Sequence, residues 1–385
     1  MDNPDRDELR IALSMRGGVS LAVWIGGAVQ ELDHLTRVRP HGQGPAAGGT
    51  EDFYAALLAL GGYERAVLDV ITGASAGGLN GVVLAASRAY GFEFSRMLPL
   101  WVRLGDIELL SRDPVRVYED PVHGTRTRRP ASLLQGNEYF QARLGEELRT
   151  LIESADPTRA VVDPFDLILS ATLVNPLYVT TTEDPFAPLP ELRRSASFHF
   201  RYLGELGAYG GDFQAMPSAT DAAPTSTSSL LALAGRSTSS FPVAFEPAAV
   251  GREAARVFSD PPGRDEAPRR VLDGGVLDNI PVTKAIEAIA AASIEGRADR
   301  WLVFLHPSPS QITMRGVETA GLADPGALRT LVVTGTTAFG QESLLDDLAE
   351  LQRHNSLAAE QRWRRAALLA DFDPAAPLPD EVVGA

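Results

Sequence analysis

Cysteine is absent from the chain, which excludes disulfides, thiolate nucleophiles and Cys-based metal sites. Positive charge is scarce: 35 Lys and Arg stand against 50 Asp and Glu, a formal net charge of -15. Nucleic acid needs concentrated Lys and Arg to neutralise its phosphates, so no nucleic-acid partner is expected. The same balance disfavours strong non-specific binding to anionic lipid and leaves any membrane contact to a local apolar rim or small basic patch. No apolar run approaches the ~20 residues that span a bilayer. The opening residues, MDNPDRDELR, lack the basic and apolar regions of a signal peptide. The expectation is a soluble, cytoplasmic protein.

What is present is globular in composition: 385 residues, 44% hydrophobic and 22% charged, enough to bury a sizeable core. Residues 10–14 (RIALS) and 66–72 (AVLDVIT) read as buried strands, and 20–38 as a helix with Ser20 at its N-cap. Strand, glycine turn and helix recur at 66–90 and again at 269–292, which predicts an α/β fold with a mostly parallel sheet. Residues 93–155 read as largely helical, interrupted by a polar, Arg-rich stretch near 112–130. A third strand is expected at 165–173 and a peripheral hairpin at 177–182 and 197–203. Residues 217–229 read as a low-complexity surface loop, 301–305 as a late buried strand, and 328–371 as a helical tail.

Three glycine-rich turns carry chemistry-bearing residues. In ITGASAGGLN (71–80), Gly73 and Gly77 flank Ser75 in the pattern G-x-S-x-G, a strand-to-helix elbow that lifts a serine hydroxyl clear of the backbone. Ala76 N–H is then a donor for an oxyanion, at the N-terminus of the following helix. In SMRGGVSLAVWIGG (14–27), Gly17 and Gly18 make either an anion-binding cluster of N–H groups or an ordinary tight turn; the G-x-G-x-x-G and G-K-[ST] patterns of nucleotide loops are not there. At Asp273-Gly274-Gly275 the aspartate is either an N-cap or a general base. Asp278 of DNIP, with Pro281 behind it, offers a separate cap for the next helix.

Taken together, these motifs resemble the patatin-like phospholipases, and a bacterial patatin-related branch in particular. Ser239 to Pro247 (SSFPVAFEP) is similar to the family's S-x-x-P-x-x-F-x-P stretch, and the resemblance spans roughly residues 10–306. It implies a three-layer α/β/α hydrolase domain over 8–310 with a mainly helical extension over 311–385. It also implies a Ser–Asp dyad in which Ser75 attacks an ester, Asp273 takes its proton, and the 16–18 loop holds the oxyanion. Substrates would be lipids or phospholipids met through transient membrane-surface contact, with no metal and no cofactor. Some relatives of this kind need a regulatory protein partner; the oligomeric state is left open. The family loop is commonly G-G-G-x-[KR]-G, and here Arg16 replaces the first glycine, Ser20 the basic residue and Leu21 the last glycine. Arg16 either restores the lost charge or narrows the hole.

Rival readings use the same residues. Asp273 and His306 follow Ser75 in the chain order of a histidine triad. A soluble-ester hydrolase or an acyltransferase would share the acyl-enzyme, and a non-catalytic lipid-binding module would share the fold. His34 and the Asp346-Asp347 pair read as solvated helix faces.

Overall fold

A computed structural model of the chain describes residues 8–18, 22–38, 50–112, 116–120, 124–128, 131–181, 189–204, 211–214, 225–242, 244–292 and 298–306, with 356, 360, 363 and 364. Ser20, most of the 217–229 loop, Asp346-Asp347 and nearly all of the 311–385 extension lie outside these residues.

Strands β1 (Glu8–Met15), β2 (Arg65–Gly73), β5 (Phe165–Thr181) and β9 (Ala298–Leu305) run parallel, with β1 between β9 and β2, and β2 beside β5. Strands β6 (Leu189–Tyr202) and β8 (Arg269–Asp273) run antiparallel to β5, and β7 (Ala248–Val250) antiparallel to β8. The parallel set expected from sequence is therefore extended by β6 and β8, which run against it, and by the short β7, and the seven-stranded sheet is mixed. The expected peripheral hairpin is instead part of it. β5 runs on through a register shift between Thr172 and Leu177, with β6 alongside throughout. The polar stretch near 112–130 holds a separate two-stranded sheet, β3 (Arg116–Asp120) with β4 (Gly124–Arg128).

The register of β5 positions the site. β6 lies along one edge of it, so β2 and β8 share the other. Gly73, the end of β2, pairs with Leu169, while Asp273, the end of β8, pairs with Ala171. The two strands run toward each other along that edge, and their C-terminal ends meet across two residues of β5.

Helices cover both faces of the sheet. On one lie α1 (Ala22–Arg37), α3 (Ser75–Tyr90), α6 (Ala142–Glu153) and α7 (Thr227–Thr238), packed on one another and on the strands, with α2 (Thr50–Leu60) and α4 (Met97–Leu104) against α1 and the short α5 (Ile107–Leu110) following α4. Gly81 of α3 lets that helix settle against Met15, Ile71 and Leu167. Alternate residues Ala12, Val70 and Ile168 point the other way and pack on Ala285 and Ala288 of α8 (Val282–Ala291), as the period-2 geometry of strands requires. Three α/β/α layers result. Helix α8 starts with Pro281 at its cap position and no side-chain cap, so Asp278 does not serve as expected.

Helix α7 has no counterpart among the predicted elements. Its sequence, TSSLLALAGRST, mixes Ser and Thr with apolar residues, and almost every residue is buried. A helix enclosed on all sides shows no amphipathic stripe. Ser226 caps it by accepting the Ser229 N–H at 3.3 Å, so residues expected in the surface loop begin a core helix.

Candidate active site

Ser75 opens α3 directly after β2 and has φ 50, the one positive value among the described non-glycine residues. A non-glycine residue held in that region is strained by ~1–3 kcal/mol and persists only where the surroundings impose it. Close backbone packing imposes it here. Ala74 N–H donates to Met15 O at 3.2 Å, and a side chain at Gly77 would collide with the Met15 carbonyl and lie 2.7 Å from Arg16 O. A side chain at Gly73 would lie 2.7 Å from the Gly77 carbonyl carbon. The two motif glycines thus let the end of β1, the elbow and the first turn of α3 occupy one small space. Ser75 is 9% exposed.

Asp273 lies opposite, 2% exposed. Its Oδ1 accepts the Gly275 N–H at 2.7 Å, capping the short turn that follows β8, while Oδ2 is buried with no aligned hydrogen-bond partner. The N-cap and base readings of the sequence are therefore compatible, one oxygen for each. Burial pushes the Asp273 pKa up to about 7 against the pull of the adjacent Ser75 hydroxyl and the Gly275 N–H. A side chain at Gly274 would overlap Ser170 of β5, and one at Gly275 would press on Asn279.

The 16–18 loop lies against the elbow: a side chain at Gly17 would meet Ser75 Cβ at 2.9 Å and Asn279 Oδ1 at 2.5 Å. Two of its amides are engaged elsewhere. Arg16 N–H donates to Leu305 O and Gly17 N–H to Asn279 O, both at 3.2 Å. Gly18 and Ala76 are the donors of the expected set whose N–H groups have no such backbone bond among the described residues. The Arg16 guanidinium turns to His306, its Nη1 lying 2.7 Å from Nδ1 and 2.9 Å from Nε2. Burial first, and then the Arg16 charge, lower the His306 pKa, so the ring is neutral at pH 7 and accepts from Arg16. Neither oxygen of Asp273 bonds to His306. Among the described residues no three His, Asp or Glu side chains converge as metal ligands.

Several residues that hold this geometry were not singled out from sequence. Thr238, at the end of α7, accepts the Ser75 N–H on Oγ1 at 3.2 Å, and Ser240 O accepts the Asp273 N–H at 3.0 Å. Asn279, read as part of a helix start, wedges between Gly17 and Gly275. The fully buried Arg236 reaches Ser240 Oγ, donates to Glu246 O at 2.6 Å and lies over the Phe245 ring. Burial would raise the Glu246 pKa, but Ser132 Oγ, the Asn137 N–H and Arg236 together hold it down at about 2. The SSFPVAFEP stretch is a signal for Ser240 and Glu246, which lie inside this network, but not for Thr238, Arg236 or Asn279.

The family model for patatin-like phospholipases matches residues 13–286, a span that takes in the 16–18 loop, Ser75, Thr238 and Asp273. An uncharacterized membrane protein of Mycobacterium tuberculosis, Rv3479, is 30% identical over 374 residues, which cover 90% of this chain and 32% of the relative. The chain spans about a third of that relative's length. Among the described residues no helix is long and apolar enough to cross a membrane.

A raised carboxyl pKa is also a statement about stability. The unfolded chain releases the Asp273 proton near the ordinary 3.8 and the folded one near 7, so folding loses stability as pH rises through that window. At ~1.4 kcal/mol per pH unit the loss is about 4 kcal/mol above pH 7. Asp273→Asn should melt at a higher temperature than wild type at pH 8, with the gap shrinking toward pH 4; thermal scans across pH check this, and a pH-independent gap would contradict it.

Proposed function

Because the chain belongs to the patatin-like phospholipase family, we propose that it is a lipid acyl hydrolase of the phospholipase A type, working through a Ser75–Asp273 dyad. The observation that carries this reading is the buried Asp273 with one oxygen capped and the other open beside the serine of a strained elbow. An ordinary aspartate is a weak base for a serine hydroxyl. Raising its pKa to about 7 brings it closer to its task while leaving it largely ionised above neutral pH.

In this mechanism Asp273 Oδ2 accepts the Ser75 proton as Oγ bonds to the ester carbonyl carbon. The carbonyl oxygen becomes an oxyanion, held by Gly18 N–H, Ala76 N–H and the positive end of α3. Collapse of the intermediate breaks the ester C–O bond, and Asp273 returns the proton to the departing alcohol. Asp273 then takes a proton from water, the resulting oxygen nucleophile attacks the acyl-serine, and the fatty acid leaves as Ser75 recovers its proton. Arg16 and His306, turned to each other, take no part in this proton path.

Exposed apolar side chains follow both the 16–18 loop and Asp273 in the chain. Val23 and Trp24 on α1 are 59% and 54% exposed, shortly after the 16–18 loop, and Leu277 is 48% exposed, four residues after Asp273. They would touch lipid while the dyad reaches an ester, and Trp suits the boundary between water and hydrocarbon. Together with the -15 net charge, this favours neutral or zwitterionic lipid over anionic surfaces. We place the reaction in the cytoplasm.

Fatty-acid release from phosphatidylcholine micelles tests the dyad. Ser75→Ala and Asp273→Asn should each lose at least about a thousandfold in kcat, while His306→Ala keeps most activity. An active Asp273→Asn would remove Asp273 from the chemistry altogether, and an inactive and folded His306→Ala would replace the dyad by a histidine triad. A Trp24→Ala, Leu277→Ala double variant should lose about fivefold more activity on vesicles than on a soluble short-chain ester; equal losses would remove these residues from the lipid contact.

A further inference from the structure

One short segment touches both members of the dyad. Thr238 accepts the Ser75 N–H, and two residues later Ser240 O accepts the Asp273 N–H. The segment is itself pinned: Ser239 Oγ donates to Gly235 O at 2.7 Å and Ser240 Oγ to Arg236 O at 2.8 Å, folding both hydroxyls back onto α7. Arg236 and Glu246 lock the stretch to the 132–137 region.

The Ser75 N–H needs such a partner. The first amides of a helix, Ser75 N–H among them, have no acceptor within it and must find one elsewhere, and this helix has no side-chain cap at Ala74. The acceptor comes from Thr238, 163 residues further along. Its methyl group packs against Gly78, where a side chain would meet Thr238 Cγ2 at 2.6 Å. Thr238 is fully buried, so no water can substitute from bulk.

We propose that Thr238 is a positioning residue for the reaction: its Oγ1 holds the N–H of the strained nucleophile, and the 238–240 segment thereby sets the spacing between the Ser75 hydroxyl and the open oxygen of Asp273. This rests on the hydrolase reading above and adds to it a residue that touches neither substrate nor proton. Loss of the Oγ1 contact leaves the Ser75 N–H without its acceptor, and within the elbow that backbone packing still imposes the serine shifts enough to move Oγ off its base without altering where the lipid binds.

Two variants separate this role from plain packing. Thr238→Val keeps the shape and removes the acceptor, and Thr238→Ser keeps the acceptor and removes the methyl group. Micellar phosphatidylcholine hydrolysis and the rate of Ser75 phosphonylation by a fluorophosphonate are measured for both, with thermal midpoints alongside. Thr238→Val should lose about 10- to 100-fold in kcat, equivalent to ~1.4–2.7 kcal/mol of barrier, at nearly unchanged KM and with slowed phosphonylation. Thr238→Ser should return to within about threefold of wild type even where its midpoint is lower. A Thr238→Val enzyme with wild-type kcat, or a loss that Thr238→Ser shares in full, would overturn the proposal while leaving the dyad standing. A wild-type protein that neither releases fatty acid nor takes the probe on Ser75 would overturn the hydrolase reading and this one with it.

Discussion

A carboxylate taken out of water while one of its oxygens goes without an aligned hydrogen bond is costly, and the rest of the site is built around holding that arrangement. Asp273 is kept there by three things: the backbone bond from its N–H to Ser240, the cap its Oδ1 provides for Gly275, and the meeting of β8 with β2 along one edge of β5. Burial raises its pKa to about 7, and that same desolvation makes it a better base. Stability is lower above neutral pH for the reason that reactivity is higher, a trade commonly found at functional sites.

The complementary constraint falls on the backbone. Met15, Arg16 and Gly17 on one side and Gly73 to Gly77 on the other pack so closely that side chains at Gly17, Gly73 or Gly77 would overlap their neighbours. This closeness forces the elbow at Ser75, and it places the N-terminus of α3 beside the loop that bears Gly18. Arg16 is the departure from the family's loop. Its N–H is bound to Leu305 O and its guanidinium is turned to His306. The histidine that chain order offered as a catalytic base is thereby occupied with the arginine.

These two constraints also decide what the sequence can reveal. Glycines demanded by close contact with neighbouring backbone or side chains are hard to substitute, so Gly17, Gly73, Gly77, Gly274 and Gly275 stand out in the text of the chain, and Ser75 and Asp273 stand out beside them. Strands with a buried run and an abrupt end, such as 66–72, are equally legible. Helix α7 is not, because burial on every side erases its periodicity and its Ser and Thr content argues for a loop. Thr238 and Asn279 were hidden for another reason: their partners, Ser75 and Gly17, are 163 and 262 residues away, and nothing local marks such a contact. The segments of β6 and β8 read as strands, but the antiparallel direction of β8 and the full length of the β5–β6 pairing escaped, because direction and register are properties of the whole sheet, not of a segment.

The central claim is that Asp273, ionising near pH 7, activates Ser75. It is tested most directly by the pH dependence of Ser75 phosphonylation with a fluorophosphonate, read by mass spectrometry of the peptide that carries ITGASAGGLN. The account predicts a single adduct on Ser75, at a rate that climbs about tenfold per pH unit below neutrality and levels off above about pH 7, and that is lost in Asp273→Asn. No adduct on Ser75, or a rate that goes on rising with pH and is indifferent to Asp273→Asn, would contradict it.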